Sequence, residues 1–134
     1  MPASDPRLYH LDTDFLVYAL SVAGPERRRL LALSGSDVTL QVSAVAWYEF
    51  SRGPRTPEQI AVARSYLGES GIIPFSEHVA AAAADVFRRL GSPRRRAADV
   101  AIGVTAAMQG AVLLTRNTRD FAGVPDLRLE QARS

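Results

Sequence analysis

Cysteine and lysine are both missing from this sequence. Without thiols there is no disulfide, no thiolate zinc site, no iron–sulfur cluster and no cysteine nucleophile. Without lysine there is no side-chain amine for covalent catalysis, and no residue to serve a glycine-rich phosphate loop, which is itself absent. Histidine is scarce: His10 and His78 stand far apart, without the short spacing of a local zinc motif. No Gly-x-Ser-x-Gly elbow is present, which argues against the hydrolase triad built on one. No stretch approaches the roughly 18 uninterrupted apolar residues of a membrane span, and the opening MPASDPRLYH lacks a signal peptide's apolar core. A cytoplasmic protein that does not enter the membrane is the expectation.

What is present is ordinary in amount and uneven in kind. Apolar residues make up 47% and charged residues 22% of 134 positions, a composition that suits one folded domain spanning residues 1–134. The formal charge is only +2, and all sixteen basic residues are arginine. A planar guanidinium fork suits phosphate, so the arginines allow a nucleic-acid partner, although an arginine-only set also arises from codon composition.

Strand and helix signals alternate along the chain. Leu8 to Leu11 is a short apolar run ending at Asp12, after which Asp14 is placed to cap a helix carrying Phe15, Leu16, Ala19 and Leu20. Glu26 to Leu33 reads as a second helix and Val38 to Val42 as a second strand. Ser43 caps a helix through Trp47 and Phe50 that contains Glu49, and Pro57 opens another. Gly71 to Phe75 reads as a brief strand. A helix with its apolar stripe on Val79, Ala83, Val86 and Leu90 follows and ends at Gly91. Ser92 to Arg96 is a basic loop, and Ala97 to Gln109 a helix with Asp99 in its first turn. Ala111 to Thr115 and Leu127 to Glu130 complete the strands. This alternation predicts an α/β fold, a three-layer sandwich with a central, mainly parallel sheet flanked by helices. In such sheets sites gather at the carboxyl edge, where Asp12 falls after the first strand and Asn117 and Asp120 after the Ala111 to Thr115 strand.

Four acids interrupt apolar or small-residue surroundings: Asp12, Glu49, Asp99 and Asp120. Each has an ordinary structural use, as a cap, an outward helix position, a complement to a helix dipole or a turn residue. If they converge, their repulsion calls for a cation, and hard carboxylate oxygens select Mg²⁺ or Mn²⁺ over softer metals. Such an ion polarises a phosphoryl oxygen and makes an attacking water more acidic, so phosphodiester hydrolysis is the natural chemistry. The Asp12-Thr13-Asp14 pair after a strand also invites comparison with phosphatases of the haloacid-dehalogenase type. Those normally use a basic residue, often lysine, and a differently spaced later acidic pair.

Taken in order, LDTDFLVYAL, SAVAWYEFSRG, RRRAADVAIGVTAAMQGAVLLTRNTRDF and GVPDLRLE resemble the PIN-domain family, and within it the VapC-like ribonuclease toxins of toxin–antitoxin pairs. The resemblance implies a Mg²⁺- or Mn²⁺-dependent endoribonuclease that cuts RNA with metal-activated water and so inhibits translation and growth. It implies Asp12 and Asp99 as principal metal ligands, Glu49 as a ligand directly or through water, and Asp120 as a ligand or organiser. Thr115 and Asn117 would order water or substrate. Arg52, Arg94, Arg95, Arg96, Arg116 and Arg119 flank the acidic motifs and would contact RNA, with Arg55 nearby. Asp14 stands where relatives commonly have asparagine, and is either an extra ligand or the helix cap. The implied partners are RNA, a small cognate antitoxin forming a hetero-oligomer, and a second copy in a homodimer. Trp47, Tyr48 and Tyr66 are available to interfaces or to the core. A PIN-like module that binds RNA or protein without cutting is the alternative from another class.

Overall fold

A computed structural model describes residues 7–132. Five short strands form one sheet in the order β3-β2-β1-β4-β5. They are β1 (Leu8–Leu11), β2 (Thr39–Ser43), β3 (Ile72–Ile73), β4 (Val112–Thr115) and β5 (Arg128–Gln131). Every pairing is parallel, so the expected mainly parallel sheet is parallel throughout. Among the described residues six helices flank it: α1 (Thr13–Ser21), α2 (Pro25–Ser34), α3 (Ala44–Ser51), α4 (Pro57–Ser65), α5 (Glu77–Arg89) and α6 (Ala97–Met108). No helix among the described residues is long and apolar enough to cross a membrane.

The central strand shows why helices must cover both faces. Successive side chains of a strand point to opposite sides, and Tyr9, His10 and Leu11 are all buried. His10 lies wholly inside, its Nε2 2.6 Å from Gln41 Oε1 on the adjoining strand, where the two residues are in register. Burial pulls its pKa down to about 4, so it is a neutral core residue. His78 is exposed on α5, away from any cluster of ligands among the described residues.

Local sequence sets the helix ends. Ser43 accepts from the Ala46 N–H, as expected, and Thr56 with Gln59 forms a complete capping box ahead of Pro57. Gly91 takes φ +84 after α5, a conformation that favours glycine. Gly103 lets α6 come close to its neighbours, because a Cβ there would sit 3.2 Å from Leu127 and 3.3 Å from Phe121.

One expectation is overturned. Asp14 does not cap α1: the helix begins two residues earlier than such a cap would set, and Asp12, extended at φ −71 and ψ 157, is its N-cap and accepts from the Thr13 N–H. Asp14 lies exposed in the first turn. Of the three aromatics, Trp47 and Tyr66 pack against the core, whereas Tyr48 is 62% exposed.

Candidate active site

The strand order reverses direction between β1 and β4, since β2 lies on one side of β1 and β4 on the other. In open parallel sheets a crevice forms at this switch point, outside the carboxyl ends of the strands. Asp12 leaves β1 there and Thr115 ends β4 there. The Asp12 N–H donates to the Leu114 carbonyl at 2.9 Å, extending the ladder by one bond.

Asp12 is only 6% exposed, and its carboxylate is held at both oxygens. Oδ1 accepts from the Thr13 N–H at 2.7 Å, and Oδ2 accepts from Thr115 Oγ1 at 2.9 Å. Those bonds favour the ionised form, yet burial outweighs them, and with the charges of Asp99 and Asp14 it pushes the pKa up to about 7. No ion pair with Asp12 exists among the described residues. A carboxylate this enclosed, with only neutral donors, is held at a cost.

Asp99 enters from the first turn of α6. Burial raises its pKa to about 6, helped by the charges of Asp120, Glu49 and Asp14, while Arg96 opposes the rise. Asp99 is therefore within electrostatic range of the other three expected acids, Asp12, Glu49 and Asp120, and of Asp14. Glu49 is half-buried on α3 and accepts from Thr13 Oγ1 at 2.8 Å. Thr13 thus connects Asp12 to Glu49, a role the sequence signalled only as a hydroxyl lodged between two acids. Asp120 belongs to a short 3-10 turn, Thr118–Phe121, capped by Asn117, whose Oδ1 accepts from the Arg119 N–H at 3.1 Å. Asn117 also donates through Nδ2 to Asp120 Oδ1 at 3.3 Å, and its own N–H donates to Thr115 Oγ1 at 3.1 Å.

The arginines divide into two groups. Arg96 donates to the carbonyls of Asp120 and Ala122, at 3.1 and 2.7 Å, and ties the Arg94–Arg96 turn to the Thr118–Phe121 turn. Arg116 lies over Tyr18, its Cζ 3.4 Å from the ring centre, with Nε 3.7 Å from the buried Glu26. Arg55 turns back to the Phe50 carbonyl and ring. Arg94, Arg95 and Arg119 are exposed, and their side chains make no hydrogen bond or ion pair among the described residues. Arg52 is exposed and sits over the ring of Tyr48 at 5.2 Å.

The donor set suits a hard divalent cation: carboxylates alone, two with raised pKa, and one arginine opposing the charge of one of them. Among the described residues no three acids or imidazoles are gathered at the spacing of a preassembled ion site. Repulsion between uncompensated carboxylates favours such a spread. A groove of mixed character, lined by Leu20, Phe50 and Val62 with Arg55, Glu58 and Gln59, lies elsewhere, and none of the four expected acids lines it. Its size is no guide to the chemistry, which follows the charge.

A family model for the PIN domain matches residues 9–127. The chain belongs to the PIN-domain family. Solved structures agree with this fold. VapBC2 from Rickettsia felis, bound to a DNA fragment from its promoter, aligns at 22% identity with a TM-score of 0.72, over 94% of this chain and 99% of that one. A toxin–antitoxin complex from Klebsiella pneumoniae aligns at 25% identity and a TM-score of 0.67, over 89% and 94%. DNA-bound VapBC from Salmonella typhimurium aligns at 20% identity and a TM-score of 0.66, over 92% and 96%. The structural neighbours of this PIN domain are thus toxins of VapBC and FitAB toxin–antitoxin complexes. No curated protein matches it in sequence.

Proposed function

We propose that this PIN domain is a Mg²⁺- or Mn²⁺-dependent endoribonuclease and the toxin of a toxin–antitoxin pair. The observation that carries the reading is Asp12: a buried carboxylate at the switch point, its pKa raised to about 7, near the charges of Asp99 and Asp14 and with no ion pair among the described residues. Asp12 and Asp99 would hold the ion, with Glu49 and Asp120 completing its surroundings. When bound, the ion supplies charge neutralisation at the phosphate and lowers the pKa of water.

The chain's own residues supply position. Thr13 and Thr115 fix Asp12 and Glu49, and Asn117 orients Asp120. A carboxylate of the group orients a water in line with the scissile bond. The water oxygen bonds to phosphorus as the P–O3′ bond breaks; the water gives up a proton to the carboxylate that orients it, and the departing O3′ takes up a proton from solvent. Products carry a 5′-phosphate and a 3′-hydroxyl, and no 2′-hydroxyl attack is involved. Arg52, Arg94, Arg95 and Arg119 are the arginines best placed to meet the RNA backbone. As a toxin, the domain would be covered by a small antitoxin and would pair with a second copy of itself.

The test is cleavage of structured RNAs with Mg²⁺, Mn²⁺ or chelator, comparing the unmodified chain with Asp99→Asn. Metal-dependent cutting that the variant lacks, with 5′-phosphate ends, is the expected result. Metal uptake without cutting would replace the nuclease with a binding module, and 2′,3′-cyclic phosphate ends would overturn the mechanism.

A further inference from the structure

Helix α3 carries one large apolar side chain that the fold leaves outside. Positions 46 and 50 face the core, and Trp47 stacks on Phe50 with ring centres 5.6 Å apart. Tyr48 points the other way, 62% exposed, immediately before Glu49. It is not bare: Arg52, one helical turn on, places its guanidinium 5.2 Å from the ring centre. An aromatic braced on one face by a cation loses little rotamer freedom on binding, and keeps its other face available.

We propose that Tyr48, braced by Arg52, is a stacking platform for an unpaired RNA base next to the cleavage site. The inference rests on the nuclease reading for its choice of ligand and for the nearness of the acids to the reaction. Three features point to a nucleotide. Glu49, the next residue of α3, is tied through Thr13 to the segment that carries Asp12, so Tyr48 stands one helix position from an acid of that group. Base–aromatic stacking needs an open π-face, which a paired base inside a helix does not present. The neighbouring guanidinium can serve the phosphate of the same nucleotide while it holds the ring. Glu49 disfavours an anion directly against it, so the arginine side is where the backbone would run. The consequence is a preference for loops and single strands that does not depend on base identity.

The test uses the full chain carrying Asp99→Asn, with Mg²⁺, and a short RNA containing 2-aminopurine, presented single-stranded or base-paired. With Tyr48 present, the single strand should bind with a change in 2-aminopurine fluorescence. Tyr48→Ala should remove that change and weaken single-strand binding by about 5- to 150-fold, the range that loss of one stacked base covers. Tyr48→Phe should keep both, and duplex binding should be the same in all three. Arg52→Gln should reduce the salt dependence of single-strand binding by about one counterion. Unchanged single-strand affinity in Tyr48→Ala, an equal loss on duplex, or a change in sedimentation with RNA binding intact would each overturn the platform. Cleavage by the unmodified chain separates the two claims. A chain that cuts but lacks the Tyr48 effect loses only the platform, and one that shows the effect but never cuts keeps the stacking surface and loses the nuclease together with the platform's place beside a cleavage site.

Discussion

Replacing Asp12 with asparagine should make the metal-free protein more stable near pH 8, although it removes the residue the proposed chemistry needs most. The sign follows from proton linkage. In the folded chain Asp12 has a pKa of about 7, against an ordinary 3.8, so between those values the folded state binds more protons than the unfolded one. The contribution of Asp12 to stability is therefore most favourable at low pH and falls as pH rises from its ordinary pKa toward and through 7. The full cost of keeping the ionised carboxylate buried is on the order of 4 kcal/mol above pH 7. Asparagine has no charge to bury and keeps an oxygen to accept from the Thr13 N–H. Its amide can donate to Thr115 Oγ1 if that hydroxyl turns toward the Asn117 carbonyl, 3.5 Å away. Allowing for that longer bond, Asp12→Asn should gain about 2 kcal/mol at pH 8, or roughly 8 °C in melting temperature. At pH 5 the advantage should be largely gone, because the aspartic acid is then neutral as well. The assay is thermal unfolding in chelator at the two pH values. Saturating Mn²⁺ at pH 8 should reverse the order, since an ion at a hundred times its Kd adds about 2.7 kcal/mol to the protein that binds it. A variant less stable than the parent at pH 8 in chelator would refute the claim that burial and repulsion govern this carboxylate.

Thr13→Ala should lower cleavage about tenfold, the low end for loss of a positioned acid–base group, while unfolding moves little; recovery in Thr13→Ser would assign the effect to the hydroxyl that donates to Glu49 Oε1. Arg116→Ala should cost about 1–2 kcal/mol of stability by removing the stack on Tyr18 and uncovering the buried Glu26, while leaving the salt dependence of RNA binding unchanged; a fall in that salt slope by about one would return Arg116 to the RNA-binding set.

Much of the fold was legible because its signals are local. Each strand was found within about two residues, since short apolar runs bounded by Gly, Pro and Ser leave little room for other assignments. The cap at Ser43 follows from one residue and the helix after it. The cap of α1 was misassigned because Asp12 and Asp14 are equally good caps by type. Only the ladder bond from the Asp12 N–H to Leu114, on a strand a hundred residues later in the chain, shows where β1 lets go. The arginines failed to separate for a similar reason. Arg96 and Arg116 look like Arg94 and Arg119 in sequence, and differ through contacts with Asp120, Ala122, Tyr18 and Glu26 that no local pattern encodes. Tyr48 was grouped with Trp47 and Tyr66, although helical period alone turns it away from the face holding Ala46 and Phe50.

The acids differ in how firmly they are held, and this difference bears on the proposed function. Asp12 is fixed at every polar atom: its N–H on Leu114, its carbonyl by the Leu16 N–H, one carboxylate oxygen by Thr13 and the other by Thr115. Glu49 and Asp120 have one side-chain partner each, and the carboxylates of Asp99 and Asp14 have none among the described residues. A rigid buried acid defines a position, and less constrained acids can adjust toward it by changing rotamer. Repulsion keeps them apart in the absence of a cation, so closing the group depends on the charge that enters it. Metal binding should therefore order Asp99 and Asp120 far more than Asp12. Selectivity between Mg²⁺ and Mn²⁺ would then reside in those movable side chains, since Mg²⁺ demands near-ideal octahedral geometry that the fixed Asp12 alone cannot supply.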